Sequence, residues 1–224
     1  MPSRLERARQ DPNSMKAKIL TSARKLFGEF GYNDTTTRMI AADVGIDIST
    51  LYYHWGEKQD LYEAVLIEIS EEIQNKLNQV EKKVSGQNLT TRLEIAIDMM
   101  SDYLFSHPEV SNLILFGYFN KTRHGVTLDI RMSQYLTNIA FAMGLSNNRE
   151  TASTEAKARI LAVWNTVLNF ISGENFFRPL LDTNREEYIR VVKETLKFIL
   201  VPAFTGKQGS KVQGSENEKR TAEQ

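Results

Sequence analysis

Apolar residues recur at helical spacing through nearly the whole chain, and this periodicity constrains the fold more than any other feature. The first apolar stripe contains Met15, Ile19, Ala23, Leu26, Phe27 and Phe30. No segment alternates apolar and polar residues over the length of a β-strand. The sequence therefore predicts an all-α fold.

Glycines and capping residues divide this periodic sequence into separate helices. Gly31, Gly45 and Gly56 end the first three, and Gly45 also permits a sharp turn. A long helix then begins near Lys58, with apolar residues at near-heptad spacing as far as Val80. Further helices are predicted at 89–106, 109–121, 126–143, 151–173 and 185–201.

The two ends of the chain differ in composition from the middle. Residues 1–13 are polar and are predicted to form a flexible arm. Residues 204–224 are rich in Gly, Ser, Lys and Glu and almost free of apolar residues, which predicts a disordered tail. Between them we expect a three-helix helix-turn-helix domain over 14–60 and a larger helical domain over 61–203.

Composition argues against several kinds of site. The chain has no cysteine, so it holds no disulfide and no thiolate metal site. Its three histidines, His54, His107 and His124, are far apart in sequence, and neither a metal nor a cofactor is expected. No apolar run is long enough for a membrane span or a signal peptide, so we expect a cytoplasmic protein with no membrane association. Lys and Arg together number 28, as do Asp and Glu, so net charge gives no sign of nucleic-acid binding.

Local sequence features, unlike net charge, indicate nucleic-acid binding. Residues 36–55 form two short predicted helices joined at Gly45, which is the spacing of a helix-turn-helix. The first begins with Thr and Arg side chains, at a helix end whose free amides favour an anion. The second is rich in polar and aromatic groups suited to phosphates and base edges. Trp55 is predicted to be buried, whereas Tyr52 and Tyr53 are adjacent and cannot both face inward.

The run TTTRMIAADVGIDISTLYYHWGEKQDLYEAV, residues 35–65, resembles the signature of the TetR regulators. It has a Thr-led second helix, an Ala-x-x-x-Gly turn, a Thr-Leu-Tyr segment and a Lys that opens the fourth helix. The preceding pattern AxxLFxExGYxxTT, residues 23–36, is similar to the first helix of that family and its exit. The resemblance covers about residues 15–66, and beyond them only length and helical character agree.

The resemblance implies two sets of DNA-binding residues. Those matching positions at or beside the DNA backbone are Thr36, Thr37, Thr50, Tyr52, His54 and Lys58. Those at positions where base reading is expected are Arg38, Ile48, Ser49 and Tyr53. Two residues depart from the family pattern. Ile48 is apolar where many relatives are polar, and Glu57 replaces the usual Ser before the Lys.

The second domain is rich in aromatic residues, whose simplest interpretation is core packing. The resemblance implies that some of them line a ligand cavity. The candidates are Tyr103, Phe116, Phe119, Tyr135, Asn138, Trp164, Asn165 and Phe170. Because no cluster of basic residues lies among the apolar positions, we expect a small, largely apolar ligand.

The last two predicted helices are apolar on more than one face, so each needs a partner on each face. With the resemblance, this implies a homodimer through residues 151–201.

The expected function is sequence-specific binding to a palindromic double-stranded DNA operator, as a repressor released by the ligand. One alternative is a helical ligand-binding adaptor without a DNA role. An enzyme is the other, and it is disfavoured because GxSxG, a phosphate-binding glycine loop, HExxH and a Cys nucleophile are all missing.

Overall fold

The computed structural model describes residues 3–119, 125–148 and 150–206, and within these all side chains except those of 119 and 125–133. The described residues contain helices and no strand, which confirms the predicted all-α class. None of these helices is both long and apolar enough to span a membrane.

The N-terminal helices follow the predicted segments closely, with one addition. Their bounds are α1 Arg4–Gln10, α2 Met15–Asp34, α3 Thr37–Val44, α4 Ile48–Trp55 and α5 Lys58–Val84. Gly31 interrupts α2 with φ 74°, so the chain bends before α3 at the expected glycine. Ser14 and Thr36 cap α2 and α3, each accepting a hydrogen bond from a backbone amide of the first turn.

The remaining helices contain one that the sequence did not predict. Their bounds are α6 Leu89–Ser106, α7 Pro108–Phe119, α8 Gly125–Ala142, α9 Thr154–Ser172, α10 Glu174–Leu180 and α11 Arg185–Thr205. The predicted helix 151–173 ends at Ser172, and Gly173 is the junction between α9 and the short α10, which contains Pro179.

The expectation of a flexible N-terminal arm is wrong for residues 4–10. Ser3 and Glu6 form a capping box that starts α1. Leu5 and Ala8 are buried in the main core, so a few apolar contacts order a segment that is otherwise polar. Arg9 also pairs with Glu71 of α5.

The C-terminal boundary also lies later than expected. Helix α11 continues through Pro202 to Thr205, because Val201 and Phe204 pack against the main core. The tail prediction therefore fails at residues 204–205, and the rest of it, residues 207–224, lies outside the described part of the chain.

One continuous core joins the N-terminal helices to the rest of the molecule. Helix α2 packs against α3, α5 and α7, while α6 packs against α5 and α11. Phe27 of α2, Leu61 of α5 and Leu168 of α9 are all fully buried members of this core, although they are far apart in sequence. The N-terminal helices are thus held against the larger helical body instead of being tethered by a linker.

Candidate nucleic-acid interface

The inward face of α4 fixes the direction of its outward face. Leu51 and Trp55 are buried, and the Trp55 indole nitrogen donates a hydrogen bond to the Lys16 carbonyl at 3.0 Å. This places both neighbouring tyrosines at the surface. Tyr53 is 82% exposed and Tyr52 47% exposed. Large aromatic side chains held open to solvent beside a rigid core are available to a partner.

The turn between α3 and α4 depends on Gly45. Its φ of 77° and ψ of 38° lie in the left-handed region, which glycine adopts without steric cost. The Ile46 amide donates to the Ala41 carbonyl at 2.9 Å, which closes the helix end. The predicted helix-turn-helix spacing is therefore realised.

Neighbouring threonines at the start of α3 have different roles. Thr35 is buried, and its hydroxyl donates towards the carbonyls of Leu26 and Gly31 at 3.0 and 2.7 Å. Thr36 is exposed, and its hydroxyl accepts from the Met39 amide at 3.2 Å. Thr35 thus anchors the segment while the following residues, including exposed Arg38, remain at the surface.

His54 is held by a lysine that sequence reasoning did not select. Lys16 Nζ lies 3.2 Å from His54 Nδ1 and also donates to the His54 carbonyl at 3.2 Å. Because an ammonium only donates, Nδ1 must accept, which leaves the proton on Nε2. Burial and the Lys16 charge lower the pKa of His54, so the ring is neutral near pH 7 with one N–H to donate.

Lys58 lies over the α2–α3 junction. Its Nζ is 4.3 Å from the centre of the Tyr32 ring and donates to the Asn33 carbonyl at 3.4 Å. Burial lowers the pKa of Lys58, and the Asp34 carboxylate opposes this shift. Glu57, the departure from the family pattern, forms a capping box with Asp60 at the start of α5.

The structure brings the predicted DNA-binding residues together around α3, α4 and the start of α5. Thr36, Arg38, Ser49, Tyr52 and Tyr53 are exposed. Thr37, Thr50, His54 and Lys58 are half-buried. Ile48 is also half-buried and packs against the main core, so packing accounts for its apolar character. We call this set of ten residues the α3–α4 surface, and its contact with DNA stays a prediction.

An ion cluster links the N-terminal helices to the body. Arg24 of α2 donates to Glu72 of α5 at 2.6 and 2.9 Å and to Glu109 of α7 at 3.0 and 3.1 Å. The Tyr103 hydroxyl donates to Glu72 at 3.0 Å. Burial disfavours the charge on Arg24, but these two carboxylates outweigh it and raise the pKa of Arg24. We call these four residues the Arg24 cluster.

A close crossing of α2 and α7 lies beside this cluster. A Cβ placed on Gly28 would lie 2.5 Å from Glu109 Cβ, so only glycine allows α2 and α7 to approach this closely. The Asn112 amide donates to the Gly28 carbonyl at 2.9 Å and fixes the crossing. Helices α2 and α7 are therefore in direct backbone-to-backbone contact at this point.

The larger helical body contains an apolar cavity of about 180 Å³. Helices α5, α6, α8 and α9 surround it, and α11 contributes Leu200. Leu77, Val80 and Val84 come from the end of α5, a region outside the predicted ligand-binding residues. They were missed because the prediction selected aromatic residues, whereas aliphatic side chains make up most of this lining.

Three of the predicted ligand residues line this cavity, namely Tyr135, Asn138 and Trp164. The others that the structure describes lie elsewhere. Tyr103 belongs to the Arg24 cluster, and Phe116 lies against Gly31.

Asn165 hydrogen-bonds back to the Leu161 carbonyl at 2.8 Å, as expected of an amide turned along its own helix. Phe170 pairs with Phe177, with ring centres 5.9 Å apart. The Phe119 side chain lies outside the described part of the chain.

Comparison with known proteins identifies the helix-turn-helix. Residues 19–65 match the family model for bacterial regulatory proteins of the tetR family. The biofilm operon icaADBC negative transcriptional regulator IcaR of Staphylococcus aureus strain Newman is 47% identical over 49 residues, which is 22% of this chain and 26% of IcaR. IcaR of Staphylococcus epidermidis is 44% identical over 48 residues, 21% of this chain and 26% of that protein. The match thus spans about a quarter of these relatives.

Solved structures are similar over most of the chain. A TetR-like transcriptional regulator from Rhodococcus sp. RHA1 has a TM-score of 0.59 and 15% identity, covering 85% of this chain and 95% of its own. The fatty acid degradation regulator FadR from Bacillus halodurans has a TM-score of 0.56 and 14% identity, covering 82% and 98%. At such low identity the likeness shows the fold alone. The N-terminal sequence match and the overall fold agree: residues 19–65 form a helix-turn-helix of the tetR family, and most of the chain shares the fold of these solved structures.

Proposed function

We propose that this chain is a sequence-specific DNA-binding transcriptional regulator that represses its target as a homodimer and is released by a small ligand. The observation that carries the proposal is the α3–α4 surface, where Tyr53 is 82% exposed directly beside fully buried Trp55. In this proposal, residues 14–60 form the DNA-binding domain, and residues 61–203 form the domain that binds the ligand and the second copy of the chain. The description of IcaR as a negative regulator supports repression.

Two kinds of DNA contact are expected from this surface. The neutral His54 ring and the Lys58 ammonium suit phosphate oxygens, which are the same for every sequence. Exposed Arg38 and Tyr53 suit base edges in the major groove. Two copies of α4 about 34 Å apart, or a multiple of that, would then contact a palindromic site.

Selection of bound sites from a random DNA pool tests this proposal. Lys58→Ala is expected to weaken binding to all selected sequences about equally and to reduce the salt slope by about 1. Arg38→Ala and Tyr53→Ala should instead change which bases are preferred. Lys82→Ala is the matched control, since Lys82 is an exposed lysine at the opposite end of α5. If the protein enriches no site and its affinity for DNA does not depend on salt, the proposal fails.

The homodimer is proposed to form through residues 151–201. Large apolar side chains are exposed along this region of the single chain. They are Leu161, Phe176, Leu180, Leu181, Phe198 and Ile199. Phe198 is 81% exposed and Phe176 68% exposed, and such exposure marks an interaction surface.

Light scattering at micromolar concentration tests the dimer. We expect twice the 25.6 kDa mass of the chain. Phe198→Glu should shift the protein to the monomer mass. Tyr53→Glu changes an equally exposed aromatic residue of the α3–α4 surface and should leave the dimer intact. A monomeric wild-type chain would contradict both the dimer and the palindromic site.

Release by a ligand is proposed to act through α5. This helix has 27 residues, a length of roughly 40 Å, and it begins at Lys58 and lines the cavity with Val84. Filling the cavity beside its far end would shift α5 and, through the Arg24 cluster, α2. A hundredfold loss of DNA affinity needs a coupling free energy of about 2.7 kcal/mol. Linkage requires the operator to weaken ligand binding by the same factor, so calorimetry with and without operator tests this route.

A further inference from the structure

Among the residues whose side chains are described, one cationic side chain lines the apolar cavity. Arg92 of α6 lines it together with Leu89, Leu93 and Ala96, the neighbours on the same helix face. Arg92 Nε is buried and has no hydrogen-bond partner among the described residues. A buried donor of a charged group without an acceptor is costly, and an anion in the cavity would remove that cost.

The rest of the cavity wall sets the limits on such an anion. Glu81 is the other charged residue in the described lining, and it is exposed at the surface end of the cavity. Met100, Ile97 and Val167 are buried apolar members of the same lining. A ligand that fits this lining would have an apolar body and one anionic group beside Arg92.

Size and charge narrow the ligand class further. A cavity of about 150 Å³ holds benzene, so the 180 Å³ found here suits one ring or a short branched chain with a small substituent. A single guanidinium matches the single charge and planar shape of a carboxylate better than a phosphate, which carries about −1.5 to −2 charges at pH 7.

The geometry points to a small amphipathic carboxylate as the ligand of this cavity, with its carboxylate on Arg92 and its apolar body between α5 and α9. The inference rests on the proposed function, because it names the class of ligand for the regulatory cavity. It also refines the expectation of a small, largely apolar ligand by adding one anionic group to it.

Calorimetry of the full chain with 4-methylbenzoate, 4-methylbenzamide and toluene tests this assignment. The three probes share an apolar ring and differ in the polar group. Wild type is expected to prefer the carboxylate to the amide by about tenfold or more. Arg92→Met should weaken 4-methylbenzoate binding about ten- to a hundredfold, the size of a charge-assisted hydrogen bond. The amide should change less than about threefold.

Two further variants make the result specific. Lys82 lies near the cavity end of α5 but outside the described cavity lining. Lys82→Met should therefore leave 4-methylbenzoate affinity unchanged. Arg92→Gln should also abolish the carboxylate preference while keeping amide binding, which shows that the cavity persists. Three results would overturn the inference. They are no 4-methylbenzoate binding by wild type, an unchanged preference in both Arg92 variants, and an equal loss of all probes in both.

Measurements of DNA binding distinguish a wrong ligand class from a wrong proposed function. Without ligand, Arg92→Met should bind the selected DNA site with wild-type affinity by fluorescence polarisation. If wild type binds DNA but shows no carboxylate preference, the ligand class is wrong and the regulator remains. If wild type binds no DNA but prefers the carboxylate, the proposed regulatory function is wrong and the assignment of the ligand class remains.

Discussion

The α3–α4 surface and the apolar cavity are specified by the sequence in different ways. The surface depends on particular residues at fixed places, such as Gly45 in a left-handed turn and Trp55 bonded to the Lys16 carbonyl. The cavity is a space left between four helices, where one aliphatic side chain replaces another at little cost. A family signature can therefore persist in the first region while the second varies freely.

The largest expected effect comes from breaking the first region alone. Trp55→Ala leaves a large void in the three-helix core and removes the bond to Lys16, so we expect the free energy of unfolding to fall by about 3–5 kcal/mol. Urea unfolding followed by circular dichroism measures this. Tyr53→Ala, two residues away on the exposed face, should stay within about 0.5 kcal/mol of wild type. Equal losses in the two variants would contradict the orientation of α4.

Cutting the connection between the regions should have the next largest effect. Arg24→Met leaves Glu72 and Glu109 without their cation, and we expect a loss of about 2 kcal/mol at pH 7, between the values for buried and surface pairs. Lys25→Met is the control, since Lys25 is the adjacent residue of α2 and its pair with Asp43 is exposed. It should change the free energy of unfolding little.

The pH dependence of the stability lost in Arg24→Met tests whether the pairing of Arg24 with Glu72 causes that loss. Burial opposes ionisation of Glu72, but the hydrogen bond and charge of Arg24 outweigh it and hold the pKa of Glu72 below its usual 4.5. Such a carboxyl contributes stability above the unfolded-state pKa and loses it as the pH falls through the folded-state pKa. The difference between wild type and Arg24→Met should therefore be largest near pH 7 and shrink below about pH 4.5. A constant difference from pH 7 to pH 4 would contradict it.

The smallest expected effect comes from widening the crossing of α2 and α7. Gly28→Ala places a methyl group 2.5 Å from Glu109 Cβ, so we expect a loss of about 1 kcal/mol or more and a weaker effect of ligand on DNA affinity. Gly117→Ala is the matched control, because a Cβ on that α7 glycine meets nothing within 4 Å. Alanine should stabilise that position by about 0.5–1 kcal/mol. Thermal unfolding of both variants measures the contrast.

Local sequence patterns predicted the first region better than the second. Helical periodicity and the positions of Gly31 and Gly45 were enough to place α2, α3 and α4. The segment 4–10 was missed because its few apolar contacts are tertiary, although Ser3 and Glu6 show the capping-box spacing. Lys16 was missed because it meets His54 across 38 positions of sequence.

Long-range packing explains the other errors. The prediction chose Tyr103 and Phe170 for the cavity by residue type, but a hydrogen bond to Glu72 and a ring contact with Phe177 place them elsewhere. Arg92 carried no sequence signal, since one basic residue on a helix is usually solvated. Only the arrangement of α5, α6 and α9 shows that Arg92 lines an apolar space.

The docking of α1 has a practical consequence for any measurement on this protein. Arg4 bonds to Asp60 at 3.1 Å, and its Nη1 would lie 2.9 Å from a Cβ on Gly56, the residue that ends α4. The start of the described chain thus lies against the end of the helix proposed to contact bases. A purification tag or fluorescent label fused ahead of Ser3 would emerge beside that helix end, and we expect affinities for DNA measured with such a fusion to be lower than those of the untagged chain.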